Sequence, residues 1–137
     1  TVATACSNRG KFATSLAVQT NAASPTVDAG TGLAFKALTD NQATVLVWGV
    51  NAAGAIKLAQ GSIVPTAVGV GAVAGDFITV PQFPALPDDF APIGYCLVRT
   101  APDAADFTPG TSAWAATGIT TSTFQNVATL PARPQTA

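Results

Sequence analysis

Residues 44–60 read TVLVWGVNAAGAIKLAQ, and this stretch decides the fold class. In its first seven positions Thr44, Leu46, Trp48 and Val50 fall on one side of an extended chain, and Val45, Val47 and Gly49 on the other, because successive side chains of a strand point to opposite faces. Both sides are apolar, the pattern of a strand covered on both faces. Asn51 and Gly54 then take the first and last positions of a type I turn. The chain returns over residues 55–60 with Ile56 and Leu58 inward and Lys57 outward, and Gly61 ends the return strand. The stretch therefore predicts a central hairpin.

Working outward, residues 93–100 give a second strong strand. Ile93, Tyr95, Leu97 and Arg99 share one side, and Gly94, Cys96 and Val98 share the other, which makes Cys96 a core residue. Between the two strong elements, residues 63–73 are irregular and residues 77–80 form a short strand closed by Pro81. Pro81, Pro84, Pro87 and Pro92 fix φ repeatedly and remove ladder donors, so this part is an ordered extended connection that crosses between sheets. Pro109-Gly110 forms the centre of a type II turn, and the Thr-rich residues 119–127 form a closing strand. Gly, Pro and Thr punctuate the chain too often for helices. The expectation is an all-β, single-domain antiparallel β-sandwich or jelly-roll-like barrel of seven or eight short strands. Residues 1–11 form an extended N-terminal arm, 12–130 the sandwich domain and 131–137 a C-terminal tail.

Composition excludes more than it proposes. Of 137 residues, 48% are hydrophobic and 9% charged, against roughly 25% charged in an ordinary domain. The 28 Ala inflate the apolar share, and bulky residues supply ordinary globular content. Six Lys and Arg against seven Asp leave a net charge of −1, so no phosphate-neutralising surface exists for general nucleic-acid binding. Glu, His and Met are absent, which removes the usual base near neutral pH and the commonest metal ligand. No apolar run reaches the roughly 18–20 residues of a membrane span, so a soluble protein with no membrane partner is expected. Cys6 and Cys96 permit one bridge, but idle or buried free thiols fit better. None of the five Asn heads a glycosylation site.

The candidate sites are weak. Gly69, Gly71 and Gly75 are spaced G-x-G-x-x-x-G, one residue longer than a dinucleotide loop, and no βαβ unit surrounds them; a flexible or bulged loop accounts for them. Asp88-Asp89 and Asp103 with Asp106 are the acidic clusters, and solvated turn carboxylates explain both. Trp48 lies in the most apolar strand and packs in the core, whereas Trp114, in an Ala- and Thr-rich loop, is a candidate either for an exposed contact or for local packing. No catalytic, cofactor-binding or metal-ligating residue is expected, and the chain is read as a non-enzyme.

Three segments taken in order, LVWGVNAAGAIKLAQG (46–61), FPALPDDFAPIGYCLVRT (83–100) and FTPGTSAW (107–114), followed by the Thr-rich strand, resemble small structural proteins of tailed-phage virions. Those are capsid decoration, cement and head-fibre proteins. The resemblance implies a β-rich, commonly oligomeric module on the virion, made in the host cytoplasm. It has no active site. Its partners are the major capsid protein and copies of itself, as dimer or trimer. Within that mechanism Arg9, Lys11 and Phe12 of the N-terminal arm would meet an acidic shell surface. Arg99 would snorkel or pair with an Asp at a rim or subunit boundary. The rival expectation is a receptor- or glycan-binding β-module of a tail or head fibre.

Overall fold

The structure is a computed structural model that describes residues 6–8, 11–13, 24–127 and 129–136. Its strands are β1 (Cys6–Asn8), β2 (Lys11–Ala13), β3 (Gln42–Val50), β4 (Ile56–Gln60), β5 (Val64–Pro65), β6 (Ala91–Thr100), β7 (Ile119–Thr121) and β8 (Gln125–Asn126). β1 and β2 form a two-stranded antiparallel ribbon. The other six form one antiparallel sheet in the order β4-β3-β6-β7, with β5 continuing the β4 side of β3 and β8 continuing the β7 side of β6. The all-β, antiparallel class expected from the sequence is what the chain adopts.

The central hairpin forms where the alternation places it, with Val50 paired to Ile56 and Leu46 to Gln60. Its turn is built by Asn51, whose Oδ1 accepts the backbone N–H of Ala53 at 3.1 Å and of Ala55 at 2.9 Å. Gly54 follows at φ 79°, the left-handed residue that joins a type I turn to a strand carrying the right twist. On its other side β3 pairs with β6 from Ala43–Arg99 to Val50–Ala91, with a bulge between Trp48 and Gly49.

Both faces of this sheet are buried. Leu46, Leu58, Cys96 and Val98 point to one face, covered by Phe35, Leu38 and Phe107 with Trp48, Trp114, Ile63 and Ile119 at its margin. Val45, Val47, Ala59, Tyr95 and Leu97 point to the other, covered by Phe90 and bordered by Phe77, Phe83, Leu86, Val127 and Leu130. Among the described residues the side chains that cover the two faces come from extended loops, and the two-stranded β1–β2 ribbon lies near β6. The Pro-rich connection therefore lies across a face of one sheet, where the sequence reading had it crossing between two. Leu38 and Phe107 clamp one layer by exchanging both backbone hydrogen bonds, at 2.8 and 2.9 Å. The buried Thr100 hydroxyl accepts from Gln42 N–H at 3.0 Å and donates to the Thr39 carbonyl, so a polar group in the core stays satisfied.

Three expected elements come out differently. Residues 77–80 are not a strand; Phe77 makes one bridge, to Thr66. The closing strand splits into β7 and β8, because Ser122 turns its hydroxyl to the Leu97 N–H while its own N–H reaches the Leu97 carbonyl, at 2.9 and 2.8 Å. The C-terminal residues lie against the domain's own second face: Leu130 packs there, Pro134 is buried, and Gln135 N–H donates to the Tyr95 hydroxyl at 3.2 Å. At the other end, the expected boundary after residue 11 falls inside β2.

Candidate interaction surface

The glycine-rich stretch after β5 folds as an irregular hairpin. Thr66 bridges Phe77, Ala67 N–H reaches the Asp76 carbonyl at 2.9 Å, and Val70 and Val73 exchange both backbone bonds at 3.0 Å. Two residues, Gly71 and Ala72, turn the chain, with Gly71 at φ 58° as a II′ turn requires at its first central position. Burial alternates along the outgoing arm. Ala67, Gly69 and Gly71 are half-buried, while Val68 and Val70 are 79% and 81% exposed, and Val73 on the return arm is 69% exposed. The larger apolar side chains thus face solvent and the small ones face the protein, the reverse of the usual arrangement.

Several residues hold this hairpin in place. Asn41, itself at φ 55°, accepts Gly69 N–H on its Oδ1 at 2.9 Å, and Asp103 N–H donates to the Gly71 carbonyl at 3.2 Å. The Arg99 guanidinium donates to the Gly75 carbonyl at 2.8 Å, lies 3.5 Å from the Asp76 carboxylate and sits 5.0 Å from the centre of the Phe77 ring. The Asp76 pair lies within the chain, and it leaves the expected capsid or subunit contact of Arg99 an expectation. Asp76 is fully exposed, so the hydrogen bond and the ring contact, more than the ion pair, fix the guanidinium.

Trp114 is half-buried and packs locally. Its ring centre lies 5.4 Å from that of Trp48 and 5.2 Å from that of Phe107, and Trp48 in turn meets Phe124 at 5.5 Å. The Trp48 and Trp114 planes are tilted by 42°, so the two indoles do not form a flat stacking platform. Phe124, 40% exposed, is the most open ring of the chain of contacts.

Elsewhere the polar groups are occupied in structural work. Asp28 is buried and accepts from Gly30 N–H at 2.9 Å, Gln60 N–H at 3.1 Å and the Thr31 hydroxyl at 2.9 Å, which ties the 28–33 turn to the end of β4. Beside it an open cleft of about 550 Å³ is lined by Thr26, Val27, Ile56, Lys57, Asp89 and Phe90, among others. Asp88, Asp89, Asp103 and Asp106 are exposed, the first three of them in turns. Among the described residues no group of three or more His, Cys, Asp or Glu could hold a metal ion, and no helix is long and apolar enough to cross a membrane. Cys96 is a free, buried thiol, and burial pushes its pKa up to about 12, the opposite of what a reactive thiol needs.

Of the residues singled out from the sequence, Arg99 and Trp114 lie on different flanks of the sheet and are not brought together. Lys11 and Phe12 fall in β2, and Arg9 lies outside the described residues. The valine hairpin was missed, although the alternation of Val68, Gly69, Val70 and Gly71 and the matching valines either side of Gly71-Ala72 could have marked it. No protein-family model, curated protein or solved structure matches the chain.

Proposed function

We propose that this chain is a non-enzymatic structural protein of a tailed-phage virion, which binds the assembled capsid as a decoration or cement protein and stabilises the shell. The observation that carries the reading is the exposed aliphatic surface. Leu33, Val68, Val70, Val73 and Ile78 are each about 70% exposed or more, on a chain in which only 9% of residues are charged. Val70 and Val73 pair directly across one hairpin with Val68 beside them, and a contiguous apolar patch of that kind marks contact with other protein. The resemblance of residues 46–61, 83–100 and 107–114 to decoration and head-fibre proteins supplies the kind of partner, the major capsid protein.

Such a protein acts by mass action. It binds the assembled shell and not the dispersed subunits, adding RT ln(1 + [L]/Kd), about 3–4 kcal/mol at a hundred to a thousand times Kd. In this reading Arg9, Lys11 and Phe12 make the shell contact, since Arg9 and Lys11 are two of only six cations. Removing residues 1–11 should lower shell affinity while the sheet still folds; unchanged affinity would remove that segment from the contact.

Fractionation of the particles that carry the protein tests the proposal. A decoration protein stays with heads that lack tails, at hundreds of copies per particle. The rival, a receptor- or glycan-binding fibre module, draws its support from the partly open Phe124 ring and would stay with tails or fibres at a few to dozens of copies.

A further inference from the structure

We propose that the exposed valines of the 66–77 hairpin, Val68, Val70 and Val73, seat in an apolar depression of the shell that is bordered by Lys or Arg. This contact rests on the shell-binding reading and adds to it a second footprint, opposite in charge to the one assigned to Arg9 and Lys11.

The hairpin is held in place before any partner arrives. Asn41 ties it twice, its Oδ1 accepting Gly69 N–H at 2.9 Å and its carbonyl accepting Thr66 N–H at 2.8 Å. Asp103 N–H donates to the Gly71 carbonyl at 3.2 Å, and the Arg99 guanidinium donates to the Gly75 carbonyl at 2.8 Å. A surface already ordered loses little conformational freedom when it docks.

Charge selects the partner. The hairpin and the two segments that hold it, residues 39–41 and 99–104, carry Asp40, Asp76 and Asp103 against Arg99 alone. All three acids are exposed, whereas the Arg99 side chain is 23% exposed and engaged by the Gly75 carbonyl, Asp76 and the Phe77 ring. Asp103 stands at the turn, its Oδ2 3.6 Å from where a Cβ on Gly71 would lie, and Asp76 stands at the foot of the return arm, where its carbonyl accepts Ala67 N–H. Three acids against one cation leave this region at −2, while five cations against four Asp leave the rest of the chain at +1. The acidic excess is thus gathered around the valines. An apolar patch with an acidic rim is matched by an apolar surface with a basic border. A second copy would set the same carboxylates against each other, and anionic lipid would be repelled by them.

Three valines fall short of the ~800 Å² per partner of a standard stable interface. The hairpin therefore supplies one part of a larger footprint, strengthened by the other contacts of the same chain through effective concentration.

Titration of the purified full chain onto heads stripped of it, at about 50 and about 300 mM salt, tests the contact. Val70→Ser with Val73→Ser should bind at least about tenfold more weakly at both salt concentrations, since the loss is apolar. Asp76→Asn with Asp103→Asn should bind about three- to tenfold more weakly at low salt and lose most of the salt dependence of the wild type. Asp88→Asn with Asp89→Asn removes the same charge at the opposite end of β6 and should bind as the wild type does. Circular dichroism checks that the variants remain folded. Wild type that fails to saturate the heads would overturn the shell-binding reading and this contact with it. Wild type that saturates them, while either hairpin variant binds as tightly or the Asp88 and Asp89 variant loses as much, would overturn this contact and leave the shell-binding reading standing. So would wild-type binding to phosphatidylcholine vesicles that the valine variant abolishes, since the hairpin would then be a lipid contact.

Discussion

The ring of Phe124 fills the space where Gly94 has no side chain: a Cβ on Gly94 would overlap two of its ring carbons and crowd the Gln125 carbonyl. Gly94 pairs with Trp48 across the sheet, so this close approach seats Phe124 edge-on against the Trp48 ring. The arrangement couples β8, a strand of two residues, to the strongest strand pair of the fold.

Gly94→Ala should therefore destabilise the protein by about 1–3 kcal/mol, the range for overpacking a filled site. Adding Phe124→Ala should recover part of that loss, because the ring no longer has to move, while the Gln125 carbonyl still crowds the new Cβ. Denaturant unfolding of the two single variants and the double variant measures the coupling. Purely additive losses would show that the ring and the glycine do not depend on each other.

Arg99→Ala removes the bond to the Gly75 carbonyl and the cation over Phe77. The expected global loss is about 1–2 kcal/mol, from a charge-assisted hydrogen bond with a small contribution from the ring. The local effect should be larger. Hydrogen exchange at the Val70 and Val73 amides should accelerate more than at β3, since one anchor of the hairpin has gone. Uniform acceleration would show that Arg99 supports the sheet and not the hairpin.

Cys96 gives the protein an alkaline limit. Its thiol titrates at about 12 in the fold, against an ordinary value of 9.0. Below pH 9 both folded and unfolded chains hold the proton and nothing changes. Between about pH 9 and 12 the unfolded chain releases the proton while the fold retains it, so stability falls by up to about 1.4 kcal/mol per pH unit. Urea unfolding from pH 8 to 11 should show a steeper fall for wild type than for Cys96→Ala, which carries no titrating group there. Parallel profiles would contradict the assignment.

The C-terminal residues are secured by Tyr95. Tyr95→Phe removes the acceptor of the Gln135 N–H while leaving the T-shaped contact with Phe83, whose ring centre is 5.0 Å away. A loss of about 0.5–1.5 kcal/mol is expected, as for one hydrogen bond, with faster hydrogen exchange confined to residues 130–136. No change in exchange there would mean that the packing of Leu130 and Pro134 holds the segment alone.

How far the sequence reaches depends on whether a segment carries its own period. Residues 44–60 and 93–100 announce their strands because side chains alternate and because Asn51 and Gly54 specify a turn, and the structure places Tyr95 and Leu97 on one face and Cys96 and Val98 on the other as that alternation requires. Leu38 and Phe107, both fully buried, were invisible, since each lies in an irregular segment and finds its partner 69 residues away, a pairing that no local pattern encodes. The split between β7 and β8 was hidden for a related reason. Ser122 replaces a strand contact with a side-chain one, and nothing in a run of Thr and Ser says which hydroxyl will do so. At the candidate surface, a cation on an otherwise apolar strand face marked Arg99 as a residue needing partners, but nothing local pointed to the Gly75 carbonyl and the Phe77 ring that hold it. The valine hairpin was obscured because its glycines resemble a loop motif, and its outward valines contradict the rule by which apolar residues are read as core.

The central claim is that this protein works by binding an assembled shell, and titration of purified chain onto heads stripped of it tests that most directly. Saturable binding in a fixed ratio to the shell subunits, with the occupied heads surviving a higher temperature than the bare ones, is the predicted result. Failure to saturate, or purified chain that turns over a substrate and loses that turnover when one Asp or Lys is replaced, would contradict it.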